Sequence, residues 1–255
     1  MLAAERHRRI CAALRDKRVV RTEEFARMLG VSAETVRRDL VVLERRGSLV
    51  RVHGGATSTA GGFGEEASFA ERSTTDREAK VAIGRAAAAL VRPGQTVIID
   101  VGTTAVEVAR ALPQNHRGIV ATCSLLAAAE LAGRPGVEVL VSGGRLRAGD
   151  LACSGAHANG FFADLNADVA FLGSGGVDAA AGLTDFHLDE VAGRRVMIAN
   201  TVRSYVLADA RKLGRVAPHR VCGLDEIDGL ITDETPPPTL RAAIEDAGGA
   251  VVVAG

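Results

Sequence analysis

Residues 32–53 read S-A-E-T-V-R-R-D-L-V-V-L-E-R-R-G-S-L-V-R-V-H. Ser32 can cap a helix by accepting a backbone N–H. Val36, Leu40 and Leu43 recur at i, i+4 and i+7, so one stripe faces a core. The opposite face carries Thr35, Arg37, Arg38, Arg45 and Arg46. Gly47 is expected to stop the helix. Ser48 to Val52 then alternate toward a short strand, and His53-Gly54-Gly55 makes a turn. A helix with a basic outer face, followed by a basic hairpin, is the form of a winged helix-turn-helix.

The residues before this stretch support that form. Thr22 is expected to cap a helix whose first turn holds Glu23 and Glu24, where the helix dipole favours negative charge. Phe25, Ala26 and Leu29 give its inner stripe, and Gly30-Val31 the tight turn into Ser32. A still earlier helix, about Ala4 to Asp16, supplies Ile10 and Leu14. In such a pair the second helix enters the major groove with its N-terminal residues near base edges. Candidate DNA contacts are Thr22, Ser32, Ala33, Thr35, Arg37 and Arg38, with Arg51 and His53 on the wing. The bland alternative for Arg37 and Arg38 is a solvated face paired to Glu34 or Asp39.

Charge is divided along the chain. The 255 residues hold 31 basic and 31 acidic side chains. Residues 1–58 carry 13 Lys/Arg against 7 Asp/Glu, and the remainder 18 against 24. A basic head on an acidic body points to a polyanionic partner for the head alone. Cysteines at 11, 123, 153 and 222 have no paired spacing. They are expected to be buried thiols in a reducing compartment. No signal peptide and no apolar run of membrane-spanning length is apparent, so a cytoplasmic location is expected. No metal and no cofactor is expected.

Residues 1–57 are assigned to the winged helix-turn-helix, 58–74 to a linker that includes a glycine-rich tract, and 75–255 to the body. The body alternates apolar strands and helices. Strands are expected at Thr96–Asp100, Gly118–Ala121, Val137–Val141, Asp168–Leu172, Ser204–Leu207, Gly229–Thr232 and Ala250–Val253. Helices are expected at Thr75–Leu90 and between several of these strands. That alternation implies an α/β domain with a mostly parallel sheet covered on both faces. Ligands of such sheets collect at the C-terminal strand ends.

Polar and glycine-rich turns recur at those ends. D-V-G-T-T, Asp100 to Thr104, offers close backbone approach, two hydroxyls and a helix N-terminus, which suits phosphate. T-C-S follows at Thr122 to Ser124, S-G-G-R at Ser142 to Arg145, and G-S-G-G at Gly173 to Gly176. G-L-T-D ends at Asp185, and L-A-D-A-R-K-L-G spans Leu207 to Gly214. With 28 arginines and 3 lysines in the chain, Lys212 at a strand end hints at a need for a compact ammonium. Each of these turns also has an ordinary reading as a cap or bend.

Taken together these residues resemble a DeoR-type transcriptional repressor. The head carries E-F-A-R-M-L-G-V-S-A-E-T-V-R-R-D-L at Glu24 to Leu40, then Leu43-Glu44, Gly47 and R-V-H-G-G-A at Arg51 to Ala56. The body carries D-V-G-T-T, S-G-G-R-L, F-L-G-S-G-G, G-L-T and L-A-D-x-x-K-x-G. The resemblance spans nearly the whole chain. It implies a body related in fold to ribose-5-phosphate isomerase and glucosamine-6-phosphate deaminase, usually without their activity. It also implies a phosphorylated sugar or related metabolite as effector. On that basis Gly102, Thr103, Thr104 and Lys212 would hold phosphate, and Asp185 and Glu190 would meet hydroxyls. Asp100, Thr122, Ser124, Gly143, Gly144, Arg145, Gly175 and Gly176 complete the candidate effector site. Cys123 departs from the asparagine that the family commonly has there, and a thiol is the weaker hydrogen-bonding group.

The expected function is sequence-specific DNA binding by a homo-oligomeric regulator of carbohydrate genes, modulated by such a metabolite. The alternative from another class is a sugar-phosphate isomerase or deaminase with Asp100, Asp178, Asp185 or Glu190 as proton carrier. A DNA architectural protein without effector would leave the strand-end glycines and hydroxyls without a purpose.

Overall fold

The computed structural model describes residues 3–16, 19–45, 48–52, 54–57 and 66–255 and forms two units, Met1–Glu65 and Glu66–Gly255. The first begins with α1, Ala3–Asp16, then β1, Val19–Arg21, and α2, Thr22–Leu29. Gly30 ends α2 at φ 65°, a region costly for larger residues, with its N–H on the Ala26 carbonyl. α3 is Ala33–Arg45, and β2, Val50–Val52, and β3, Gly55–Thr57, form the hairpin. Ile10, Phe25, Val36, Leu40, Leu43 and Leu49 share one buried cluster. Each such side chain adds about 1.5–3 kcal/mol on burial.

β1 joins the hairpin as a third antiparallel strand, in the order β1-β3-β2. Three residues are too few to announce a strand by alternation, and this one was not expected. It explains Gly55: a Cβ there would stand 2.3 Å from the Val20 carbonyl oxygen. Thr22 is corrected as a cap. The N-cap of α2 is Arg21, and Thr22 is buried inside the helix. Its backbone N–H is held by the Gly54 carbonyl at 2.9 Å, which joins the helix start to the wing turn. Arg46, Gly47 and His53 lie outside the described residues.

Asp39 ties α3 to α1. Arg6 donates to its two oxygens at 2.7 and 3.0 Å, and His7 Nε2 lies 3.0 Å from Oδ1. Burial pushes this carboxyl up, and the hydrogen bonds from Arg6 and His7 more than reverse it.

The second unit opens with α4, Phe69–Thr74, and α5, Arg77–Ala88. β4, Thr96–Ile99, α6, Thr103–Ala111, β5, Gly118–Thr122, α7, Leu125–Leu131, and β6, Val137–Val141, follow. A hairpin of β7, Arg145–Arg147, and β8, Ala152–Ser154, precedes α8, Ala156–Ala163, and β9, Ala167–Leu172. β10, Gly176–Asp178, and β11, Gly182–Asp185, lead to α9, Leu188–Ala199, and β12, Thr201–Leu207. β13, His219–Cys222, β14, Gly229–Thr232, α10, Pro238–Asp246, and β15, Ala250–Val253, complete the unit.

The seven strands expected from sequence form one sheet, ordered β15-β14-β12-β9-β4-β5-β6 with every pairing parallel. Both faces are covered, as the period of two requires. Val97 and Ile99 of β4 pack with Val108 and Phe171, while Ile98 packs on the other side with Ala121 and Leu172. The short antiparallel additions, β7-β8 and β10-β11-β13, were not among the expected strands.

Chain order reverses between β4 and β9. From β4 the strands run out through β5 and β6, and from β9 they run the other way. The C-terminal ends of β4 and β9 therefore flank a crevice. The expected linker, 58–74, is also corrected at its C-terminal side. The second unit begins at Glu66, and Ser68 closes a capping box on α4, with Glu71 N donating to its Oγ and Ser68 N to Glu71 Oε2. No helix among the described residues is long and apolar enough to cross a membrane.

The Asp39 pairing sets a pH dependence. Its folded pKa is depressed, so its contribution is present above the ordinary aspartate range and lost as pH falls through the lower, folded value. Asp39→Asn should destabilise α1 and α3 by about 2 kcal/mol at neutral pH. The difference should shrink on acidification. Hydrogen exchange of the α1 and α3 amides measures both effects, and equal protection in the two proteins at pH 7 would contradict them.

Candidate functional site

In the first unit, Ser32 Oγ accepts from Thr35 N at 3.2 Å and lies 2.9 Å from Thr35 Oγ1. The cap is thus the one expected, and it fixes the first turn of α3. Ser32, Arg37 and Arg38 are exposed, and Ala33 and Thr35 half-buried, on the side away from Val36 and Leu40. Arg37 Nη1 donates to Glu34 Oε2 at 3.3 Å, and Arg38 Nε lies 3.6 Å from Glu34 Oε1. Such exposed pairs contribute about 0–1 kcal/mol, so phosphate can replace the carboxylate. On the wing, Arg51 is held to α3 by Glu44, with Nε donating at 2.6 Å and the backbone N–H at 3.1 Å. Thr22 is buried and removed from this face.

In the second unit, the crevice between β4 and β9 holds a cleft of about 360 Å³. One wall is Val101 to Ala105, after β4. Gly102 caps α6 at φ 131°, and the first-turn amides of Thr103, Thr104 and Ala105 have no acceptor within the helix. Thr104 is 3 % exposed, and its Oγ1 has no hydrogen-bond partner among the described residues. The facing wall has Gly173 and Ser174 after β9, Leu207 at the end of β12, and Lys212. Lys212 Nζ donates to the Ser174 carbonyl at 2.5 Å. Burial lowers its pKa, opposed by Asp209 and Asp185. Arg72 and Glu66 close one side.

The acidic end is organised by Arg194, which is 2 % exposed. Its Nε donates to Asp100 Oδ2 at 2.6 Å and its Nη2 to Glu190 Oε2 at 2.7 Å. Nη1 lies 2.5 Å from Asp185 Oδ2, a charge contact outside hydrogen-bonding geometry. Glu190 Oε1 also meets Arg147, whose Nε donates to Asp150 Oδ1 at 2.9 Å. Burial pushes Asp185 up, and Arg194 with the amides of Phe186 and His187 brings it below the ordinary aspartate value. Burial together with Asp185 and Asp100 keeps Glu190 above the ordinary glutamate value, against Arg194 and Arg147.

Of the candidate effector residues, Gly102, Thr103, Thr104, Asp185, Glu190 and Lys212 line the cleft. The others do not. Asp100 stands one layer behind, accepting from Gly173 N at 2.9 Å and from the Cys123 thiol at 3.5 Å. Cys123 thus faces Asp100 instead of the cleft. Thr122 Oγ1 is buried and accepts from Ser124 N at 3.0 Å, while Ser124 caps α7. Gly143 and Gly144 bend the chain into β7; a Cβ on Gly144 would meet the Ser154 carbonyl oxygen at 2.5 Å. Arg145 is exposed and pairs with Asp189. The amide of Gly175 donates to the Thr184 carbonyl, and Gly176 packs against the Arg215 backbone. These glycines are present for tight turns and crossings of backbone.

Sequence reasoning missed Arg72, Glu66, Asp150, Ser174 and Arg194. Arg194 could have been found, since it lies four residues after Glu190 on one helix face. Arg72 and Glu66 fell within the expected linker and gave no such pattern.

Two family models match: a DeoR-like helix-turn-helix domain over residues 6–60 and a DeoR C-terminal sensor domain over residues 75–234. The HTH-type transcriptional regulator GlpR of Haloferax volcanii is 37 % identical over 252 residues, 99 % of this chain and 98 % of that one. The glycerol-3-phosphate regulon repressor of Escherichia coli is 30 % identical over 246 residues, covering 96 % and 97 %. Among solved structures, ribose 5-phosphate isomerase A of Methanocaldococcus jannaschii aligns over 55 % of each chain at 18 % identity, with a TM-score of 0.40.

Removing Arg194 leaves Asp100, Asp185 and Glu190 buried without their shared cation. Arg194→Met should therefore destabilise the second unit by about 3–5 kcal/mol at neutral pH. The loss should lessen in acid, where the stranded carboxylates take up protons. Urea unfolding followed by circular dichroism at two pH values checks both statements.

Proposed function

Because the chain belongs to the DeoR family of transcriptional regulators, we propose that its head reads a promoter, its body binds a phosphorylated sugar or polyol, and occupancy of the body alters affinity for DNA. The observation that carries the effector assignment is the convergence at the strand switch. Free first-turn amides of α6, the unpartnered Thr104 hydroxyl and the Lys212 ammonium all line one cleft. Such a set suits a dianion, with backbone N–H groups and a point charge supplying the attraction. Asp185 and Glu190 at the other end supply acceptors for hydroxyls. The glycerol-3-phosphate regulon repressor is a relative whose name carries a ligand of this class.

The same geometry argues against turnover. A general base must take up a whole proton, which close pairing with arginine disfavours, whereas accepting a hydroxyl needs only a lone pair. Asp100 and Asp185 are held by Arg194, and Glu190 bridges Arg194 and Arg147. Asp178 accepts from the amides of Ala180 and Ala181, which shapes its own turn. On this reading the body is a sensor, and the protein acts in the cytoplasm where its DNA lies. A single head makes few contacts, so binding is by a homo-oligomer on repeated half-sites.

The test is a thermal-shift panel of phosphorylated sugars and polyols against the full chain. A ligand stabilises the folded state by mass action. A panel without a hit, or turnover of a hit, would count against the sensor. Lys212→Ala should abolish the shift while leaving DNA affinity unchanged. Arg38→Ala should weaken operator binding by about 10–100-fold, the magnitude of a base contact, with the body's melting unchanged. Fluorescence anisotropy at fixed salt measures that loss, since affinity falls steeply with salt.

A further inference from the structure

Glu66 stands apart from the Arg194 network. Its Oε1 accepts from Arg72 Nη1 at 2.7 Å, and its Oε2 lies 3.0 Å from His187 Nε2. The side chain is 18 % exposed and lines the cleft with Lys212 and the first turn of α6. Its charge also acts on Lys212 and Arg215, favouring their protonated forms against burial. The other carboxylates lining the cleft, Asp150, Asp185 and Glu190, are held by Arg147 or Arg194. Glu66 thus takes up Arg72, the cation that lines this end of the cleft with Lys212. Arg72 Nε is buried without a partner among the described residues, which leaves it a donor for a second anion.

Glu66 opens the second unit. The α4 helix that follows buries none of its side chains. It is fastened at its C-terminal end, where Lys80 Nζ donates to the carbonyls of Arg72 and Thr75, the latter at 2.7 Å.

We infer that the Glu66 carboxylate is a built-in anion at the phosphate end of the cleft, and that a phosphorylated ligand displaces it from Arg72 and loosens residues 66–68. This rests on the effector assignment of the cleft. A dianion carries more charge than a carboxylate and competes with Glu66 for the Arg72 guanidinium. Arg72 stays in place through the grip of Lys80 on its carbonyl, so only residues 66–68 are loosened.

The probe is inorganic phosphate, titrated by calorimetry into the full wild-type chain and into Glu66→Gln. Removing the competing charge should tighten phosphate binding by about fivefold to tenfold, because the competent state no longer has to be selected. Unchanged or weaker binding by Glu66→Gln, with wild-type binding intact, would overturn the built-in anion and leave the cleft assignment standing. Absence of binding by both proteins would overturn both. Hydrogen exchange on the wild type gives a readout free of any variant. With saturating phosphate the amides of residues 66–68 should exchange faster and those of Thr103 to Ala105 slower. Slower or unchanged exchange at residues 66–68 would make Glu66 a clamp or a bystander and overturn the inference.

Discussion

A single guanidinium, that of Arg194, holds the acidic half of the cleft in place. It lies within 2.7 Å of three carboxylates that come from three separate places: the end of β4, the end of β11 and the preceding turn of α9. Desolvating so many charges costs several kcal/mol per ion, and only close pairing offsets it. The net effect on stability need not be large. The effect on geometry is, because each carboxylate has one position in which it is paired. Asp100 in turn receives the Gly173 amide, which fixes the strand end opposite α6. The shape of the cleft is thus a consequence of charge pairing behind it.

The head solves a different problem with similar chemistry. Its helices are short, and its core rests on one cluster of apolar side chains. Asp39, buried between α1 and α3, sets their relative position through Arg6 and His7. Of the outer face, Arg37 and Arg38 share one carboxylate, Glu34, at 3.3 and 3.6 Å. The inward charge is committed to structure, and these outward charges are held only by weak surface pairs.

Much of this was legible from residues. The Ser32 cap, the helix stripe and the exposed Arg37 and Arg38 follow local rules that act over three to seven positions, and each is present in the structure. The seven sheet strands were equally visible, since buried parallel strands read as continuous apolar runs. The Thr22 cap failed because a third strand, Val19–Arg21, draws the chain into the wing and moves the helix start by one residue. The short antiparallel strands were missed because three or four residues are too few to show an alternation. Thr122 and Ser124 looked like ligand groups by position, yet their oxygens are taken by nearby amides.

Sequence alone determined the seven strands of the large sheet, which face of α3 is basic, and which strand ends carry phosphate-type turns. These depend on periodicity, capping and glycine, all of them properties of neighbouring residues. Tertiary structure alone decided which of those turns meet. The reversal of strand order brings the ends of β4 and β9 together and leaves those of β5 and β6 outside the cleft. It also returned Glu66 and Arg72, assigned by composition to a linker, to the mouth of the cleft. Ion pairs spanning 94 residues, such as Arg194 with Asp100, leave no local trace, because electrostatic partners are chosen by distance in space.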